Sequence, residues 1–216
     1  AGNSDGTPDG VVRVSLGNGD DEAAALAMHS NGQIVIAGTT VAVDTSTNAV
    51  VARLNVDGTL DAAFGAGTSD GTPDGVVSAS FGTGNDTANG IAIQTDGKIL
   101  VVGTVTATDS TTNIAVARFT TDGNLDTSFG RGNSDGTPDG VVGLSLGNGN
   151  DVGAAIALQG DGKILVTGYT VSGDSSTNAA VIRMLTDGSL DSEFGQDASD
   201  GTPEGVVGIS LGAGND

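Results

Sequence analysis

The heptapeptide Ser-Asp-Gly-Thr-Pro-Asp-Gly starts at Ser4, Ser69 and Ser134, and it returns at Ser199 with Glu204 in place of its second Asp. The spacing is 65 residues each time. A fixed period of this length indicates a tandem repeat protein, in which one supersecondary unit is copied along the chain. We expect any chemistry to be copied as well, so a modular structural or binding surface is a better prediction than a single catalytic centre.

Each period contains four short β-prone segments separated by turn signals. The turn Ser30-Asn31-Gly32 predicts a tight hairpin, because Asn-Gly supplies the positive φ angles of a type I′ turn. A helix over residues 22–28 is an alternative on composition, but Gly90 and Gly153 in the later copies disfavour it. Four antiparallel strands per period are typical of a β-propeller blade, with a β-solenoid as the alternative. In the first period the predicted strands are residues 11–16, 23–29, 33–41 and 49–56.

Two motifs recur in every period and resemble a known family. Residues 156–168 read Ile-Ala-Leu-Gln-Gly-Asp-Gly-Lys-Ile-Leu-Val-Thr-Gly, and residues 180–195 end in Asp-Gly-Ser-Leu-Asp-Ser-Glu-Phe-Gly. Matching segments lie at 91–103 with 115–130, and at 26–38 with 50–65. Together they resemble the bacterial delta-sixty repeat, a family similar to the NHL repeat, with the heptapeptide as an added insert. The resemblance implies β-propeller blades and an extracellular or bacterial cell-surface location, and it implies no definite activity.

The NHL-like strand order implied by this resemblance sets the blade boundaries. The inner strand of each blade is then expected to start near Ala23 and its counterparts, and the outer strand to start near Val76 and its counterparts. On this phase the chain contains three complete blades and one spare outer strand. Closed propellers need about four to eight blades, so three blades and a strand cannot close a ring. We therefore predict an all-β fold of tandem four-stranded antiparallel blades, forming an open array or part of a larger propeller. The division is 1–22 for a spare outer strand and heptapeptide, 23–87 for blade 1, 88–152 for blade 2 and 153–216 for blade 3.

The charge balance excludes some partners. The chain has 27 acidic and 7 basic residues and a formal net charge of -20, which argues against nucleic acid because phosphates need a basic face. No apolar run approaches the ~20 residues of a membrane helix, so no membrane insertion is expected. Solubility, calcium binding and a salt-adapted proteome are three interpretations of the acidity. His29 is replaced by Gln94 and Gln159 in the other copies and no cysteine is present, so we predict that the protein is not an enzyme.

The repeated acids of the heptapeptide are candidate calcium ligands. Short carboxylates near Gly are oxygen donors of the kind that Ca²⁺ prefers. The alternative is a plain turn, in which Asp and Ser accept backbone hydrogen bonds and Pro fixes φ. The Gly-rich segment at residues 16–21 is interpreted as a hairpin connection. The candidate calcium ligands are Asp5, Asp9, Asp70, Asp74, Asp135, Asp139, Asp200 and Glu204.

Three arginines recur in apolar strands, at Arg53, Arg118 and Arg183. An unpaired buried charge is costly, so each is expected to have an acidic partner. The repeated acids are Asp61, Asp126 and Asp191, and we interpret the pairs as structural ion pairs that lock blades together. The recurring aromatics are predicted to pack between blades, at Phe64, Phe129 and Phe194.

An open blade array exposes faces and strand edges, which pair readily with another chain. A head-to-tail contact that does not close gives a filament. We therefore predict a structural, self-assembling extracellular repeat protein, such as a filament, stalk or surface-layer component, with Ca²⁺ as a candidate stabilising cofactor. Its partner would be neighbouring copies or further blades of a longer chain. The alternative is a non-catalytic β-propeller binding module for glycan or protein.

Overall fold

A computed structural model of the chain describes residues 10–17, 19–41, 46–66, 74–82, 84–107, 109–130, 137, 139–147, 149–171, 176–195 and 204–209. Every regular element in these ranges is a β-strand, which confirms the all-β prediction. The first sheet contains β1 (Asp21–Met28), β2 (Ile34–Val41), β3 (Thr47–Leu54) and β4 (Val76–Ala79). The second contains β5 (Asp86–Ile93), β6 (Ile99–Thr106), β7 (Thr112–Phe119) and β8 (Val141–Leu144). The third contains β9 (Asp151–Leu158), β10 (Ile164–Val171), β11 (Thr177–Met184) and β12 (Val206–Ile209).

Each sheet is an antiparallel meander in which the four strands pair in chain order. The first strands β1, β5 and β9 contact one another from sheet to sheet and therefore form the inner edge of the array. The fourth strand of each sheet has four residues and forms the outer edge. Each first strand begins two residues before the predicted blade boundary, at Asp21, Asp86 and Asp151.

The hairpin between the first and second strands differs from the sequence prediction. The amide of His29 donates to the carbonyl of Gln33 at 2.8 Å, and the amide of Gly32 donates to the carbonyl of His29 at 2.9 Å. Gly32 has φ +88° whereas Asn31 has no positive φ. The connection is thus a three-residue loop with glycine in the left-handed position, and the predicted type I′ turn is wrong. One more residue in the loop removes the need for two consecutive positive φ angles.

Residues 11–16, predicted as a spare outer strand, are not part of a strand in this structure. Each short fourth strand pairs with residues 24 to 30 positions earlier in the chain, as Val76 does with Ala52 and Ala79 with Ala49. In the described part of the chain, the third strands β3, β7 and β11 are paired with β4, β8 and β12, and residues 11–16 join none of these sheets. These residues instead pack against the first sheet, where Leu16 is buried beside Val50, Ala52 and Val76.

The hydrophobic core lies between the sheets. One cluster joins the first sheet to the second through buried side chains such as Val35, Val51, Val101 and Phe119. A second cluster joins the second sheet to the third in the same way. Because both faces of the middle sheet are covered, its strands β6 and β7 are nearly continuous apolar runs. The sheets are therefore propeller-like blades stacked face to face.

Candidate functional site

The recurring arginines lie near the end of the third strand in each sheet. Each guanidinium donates from Nε to an aspartate in the turn that follows the strand and lies over a phenylalanine ring, with Cζ 4.6 to 4.7 Å from the ring centroid. The structure thus brings together the residues that the sequence analysis paired. The Nε to Oδ2 distances are 2.8 Å for Arg53 and Asp61, 2.9 Å for Arg118 and Asp126, and 2.6 Å for Arg183 and Asp191.

The arginines also connect adjacent sheets. Nη1 of Arg53 donates to the carbonyl of Thr121 in the second sheet at 2.5 Å, and Nη1 of Arg118 donates to the carbonyl of Thr186 in the third sheet at 2.6 Å. A second bond lies next to each of these. The amide of Gly65 donates to the carbonyl of Asp122, and the amide of Gly130 donates to that of Asp187, both at 2.8 Å. Every internal interface therefore has two donors on one sheet and a pair of turn carbonyls on the next.

Each aspartate also accepts from a second side-chain donor. Lys98 Nζ lies 2.8 Å from Asp126, and Lys163 Nζ lies 2.8 Å from Asp191. In the first sheet Gln33 stands in place of the lysine, and its side-chain Nε2 donates to Oδ2 of Asp61 at 2.6 Å. Burial alone would raise the pKa of Asp126, but the hydrogen bonds from Lys98 and from Ser128, with the charge of Arg118, hold it well below its usual value. The carboxylates are thus ionised and act as fixed anchors for the arginines.

The two lysines were not predicted as site residues. Lys98 and Lys163 are part of the repeated Asp-Gly-Lys-Ile motif, so their recurrence was the available signal. The acceptor carbonyls of Thr121 and Thr186 were not identifiable in the same way, because every residue carries a backbone carbonyl.

The two outermost faces of the array carry the equivalent donors and acceptor carbonyls, but no neighbouring sheet covers them in the described part of the chain. In the third sheet Phe194 is half-buried, whereas its counterparts Phe64 and Phe129 are fully buried. Within the described ranges, Nη1 of Arg183 and the amide of Gly195 have no following sheet to donate to. These residues, with Val181 and Val207, form what we call the donor face.

The first sheet presents the opposite face. Leu26 and Met28 of β1 are 71% and 69% exposed, whereas their counterparts Ile91 and Ile93 pack against the preceding sheet. Val56 and Asp57 are the counterparts of Thr121 and Asp122, and in the described part of the chain their carbonyls accept no hydrogen bond. We call this surface, formed by Leu26, Met28, Val56 and Asp57, the acceptor face.

A cleft of about 450 Å³ opens between the inner strands of the first and second sheets. Its lining combines carboxylates, hydroxyls and one amide. Ala24, the extra residue of a β-bulge in β1, lines this space with only a methyl group. Its counterpart Asn89 closes the next interface, where Nδ2 donates to the carbonyl of Gly153 at 2.7 Å. The polar lining residues are Asp20, Asp21, Glu22, Thr39, Thr47, Thr87 and Asn89.

An aspartate at the start of each first strand fixes the Gly-rich connection before it. Oδ2 of Asp21, Asp86 and Asp151 accepts the backbone amide five residues earlier, at 2.9, 2.9 and 2.7 Å. Asp86 and Asp151 are fully buried. Burial raises the pKa of Asp86 to about 6, against the opposing hydrogen bonds from Phe81 and its neighbours. The Gly-rich segments were predicted as connections, but no role was predicted for their final aspartate.

The candidate calcium ligands are only partly described. Asp5, Asp9, Asp70, Asp135 and Asp200 lie outside the described residues, whereas Asp74, Asp139 and Glu204 lie in the turns that precede β4, β8 and β12. Among the described residues no group of three or more His, Cys, Asp or Glu side chains is placed to hold a metal ion. Calcium binding stays a prediction. Within the same ranges no helix is long and apolar enough to span a membrane.

Comparison with known proteins supports the blade architecture. The family described as "Domain of unknown function (DUF5122) beta-propeller" matches residues 29–64, 94–129 and 159–194, which together make up half of the chain. No curated protein matches significantly. A fucose lectin from Kordia zhangzhouensis, solved in complex with methyl-fucoside, is similar in structure at 10% sequence identity, with a TM-score of 0.42. The match covers 73% of this chain and 90% of the lectin chain.

Proposed function

The chain belongs to the DUF5122 beta-propeller family, and from that premise we propose that it is a structural protein that self-assembles through its two outermost blade faces. The proposal is carried by one observation. The donor face and the acceptor face are exposed, whereas the equivalent surfaces are buried against each other at both internal interfaces of the chain. A second copy therefore offers each face its complement. An interface between different surfaces of identical copies is head-to-tail and extends into a filament unless the rotation closes it.

Polar complementarity supports this pairing. In the internal geometry, Arg183 of one copy would donate to the carbonyl of Val56 in the next, as Arg53 donates to that of Thr121. Gly195 would likewise donate to the carbonyl of Asp57, as Gly65 donates to that of Asp122. Buried donors and acceptors then meet each other, so the desolvation cost of leaving polar groups unpaired is avoided.

Apolar burial supplies the driving force. Leu26 and Met28 would become covered as Ile91 and Ile93 are within the chain. Full burial of a side chain of this size contributes about 1.5–3 kcal/mol relative to leaving it exposed. The net charge of -20 opposes association through repulsion between copies. Because salt screens that repulsion, we expect assembly to strengthen as ionic strength rises.

The test is light scattering and negative-stain microscopy of the purified chain across concentration and salt. We expect concentration-dependent, elongated species in the unaltered chain. The variant Leu26→Glu/Met28→Glu adds two charges to the acceptor face and should abolish them. The control Thr95→Glu/Asn124→Glu adds the same charge at exposed turns of the middle sheet and should assemble normally.

A monodisperse particle at every concentration and salt level would contradict the proposal. Equal loss of assembly in both double variants would also contradict it, since net charge rather than the acceptor face would then be responsible. The extracellular or cell-surface location and the absence of catalysis remain predictions from the family resemblance and from the lack of a repeated reactive side chain.

A second candidate function, a glycan-binding module, is favoured by the cleft between the first two sheets. Its volume of about 450 Å³ is in the range of small-molecule sites, and its carboxylates and hydroxyls suit the hydroxyl groups of a sugar. Replacing Ala24 by Asn should fill the cleft as Asn89 fills the next interface. A glycan array with the unaltered chain and Ala24→Asn tests this candidate. A binding signal that is equal in both proteins would exclude the cleft.

A further inference from the structure

Residues 10–16 occupy the place of an outer strand from a neighbouring sheet. A Cβ built on Gly58 would lie 2.8 Å from Cγ2 of Val12, and one built on Gly123 would lie 3.0 Å from Cγ2 of Val77. Val12 is the counterpart of Val77 one period earlier, so it contacts the first sheet as β4 contacts the second. The segment is fixed at its far end as well, because Leu16 is 4% exposed and its amide donates to Asp21 at 2.9 Å.

This placement conflicts with simple face-to-face docking of two copies. In the internal geometry, β12 of one copy would lie against the turn at Gly58 in the next copy. Val207 of β12 is the counterpart of Val12, so both side chains would require the same space. One of the two segments must therefore leave when the faces meet.

We propose that residues 11–14 of one copy replace β12 as the fourth strand of the third sheet in the adjacent copy. This strand exchange rests on the proposed function, since it requires the two faces to meet. The incoming residues Val11 and Val12 are identical to the Val206 and Val207 that they replace. β12 forms four residue pairs with β11, and the exchanged strand forms the same four, so hydrogen bonding is conserved.

Exchange also conserves the junction between blades. Within the chain, each fourth strand continues directly into the Gly-rich connection and the first strand of the next sheet, as β4 continues to Phe81 and Asp86. The amide of Leu16 already donates to Asp21 as that of Phe81 donates to Asp86. An exchanged strand thus links two copies through an uninterrupted chain and leaves Leu16 buried. Displacing residues 10–16 instead would expose Leu16 and break its hydrogen bond to Asp21.

The second copy is the required source of the strand. In one copy, residues 10–16 lie on the first sheet and β11 belongs to the third, with the middle sheet packed between them. The chain contains no cysteine, so engineered thiols report contacts without interference.

The first experiment cross-links the exchanged strand. Val207 pairs with Val181, so Val12 should lie opposite Val181 of the partner copy after exchange. Directly opposed residues in antiparallel strands are within the Cα separation that a disulfide spans. Under mild oxidation we expect Val12→Cys/Val181→Cys to give a ladder of trimers and larger species on a non-reducing gel. Either single variant should give dimers at most.

The second experiment locks β12 in place. Oxidised Val181→Cys/Val207→Cys carries an internal disulfide, and we expect it to lose assembly and regain it on reduction. Unchanged assembly of the oxidised variant would overturn the exchange, as would assembly of Val12→Cys/Val181→Cys without a ladder. Those outcomes leave face-to-face association intact. If the unaltered chain itself does not assemble, the proposed function fails and the exchange with it.

Discussion

Replacing Arg118 by Met tests how strongly the arginine connects adjacent blades. The guanidinium donates to Asp126 at 2.9 Å, to the carbonyl of Thr186 at 2.6 Å and to Ser128 at 3.1 Å, and it covers the ring of Phe129. The Arg118 side chain is 8% exposed, so these contacts are shielded from solvent. Methionine retains part of the packing on the ring but supplies no donor.

The expected loss of stability follows from these contacts. Removing one member of a buried ion pair typically costs about 3–5 kcal/mol. Lys98 remains 2.8 Å from Asp126 and compensates part of the carboxylate charge. The carbonyl of Thr186 loses its charged donor, and a hydrogen bond to a charged group contributes about 1.5–3 kcal/mol. We therefore expect Arg118→Met to lower the free energy of unfolding by about 3 kcal/mol.

The measurement is urea denaturation followed by far-ultraviolet circular dichroism, because the chain has no tryptophan. Arg183→Met is the matched control, since Arg183 has the equivalent partners Asp191 and Phe194 but, among the described residues, no following sheet. At concentrations below assembly we expect it to cost clearly less than Arg118→Met. Equal losses in the two variants would refute the view that the bond to the next blade contributes to stability.

Three further predictions concern the buried aspartate, the inner edge and calcium. Burial raises the pKa of Asp86 to about 6 in the folded chain, above its unfolded value, so folding stability should rise by about 1 kcal/mol as the pH falls from about 7 to about 5. Asp86→Asn should remove this increment in urea titrations at both pH values. Gly153→Ala should lower the melting temperature, because its Cβ would lie 2.6 Å from the carbonyl oxygen of Gly103, whereas Gly160→Ala, in open space, should leave it unchanged. If the heptapeptide acids bind Ca²⁺, excess chelator should lower the melting temperature of the calcium-loaded protein, and an unchanged melting curve would exclude such a role.

The parts of the fold that depend on local sequence could be predicted. The period and the Asp-Gly turns fix where strands begin and end, since positive φ at positions such as Gly97 and Gly162 is a local requirement. The arginine and aspartate partners were also identifiable, because both recur with the same spacing in every copy. Four-stranded blades followed from the four β-prone segments in each period.

Features that depend on distant partners could not be predicted. Residues 11–16 have the composition of a strand, but a strand needs a neighbour, and the sequence alone does not show whether one is present. The cleft depends on one difference between copies, Ala24 in place of Asn89, and its effect appears only when two sheets are in contact. Asp86 is likewise buried whereas its counterpart Asp21 in the first sheet is exposed, a difference that the same residue type at both positions does not reveal.

The tight contact at the inner edge determines the curvature of any assembly. First strands approach so closely there that a Cβ on Gly90 would lie 3.2 Å from Cα of Ala155 in the next sheet. Blades held this closely at one edge splay apart at the other, and each adds a fixed rotation about a common axis. If the rotation that relates one copy to the next divides a full turn evenly, the assembly closes into a ring. Any other rotation produces a helix, so a single added methyl group at this edge would change the pitch of the assembly.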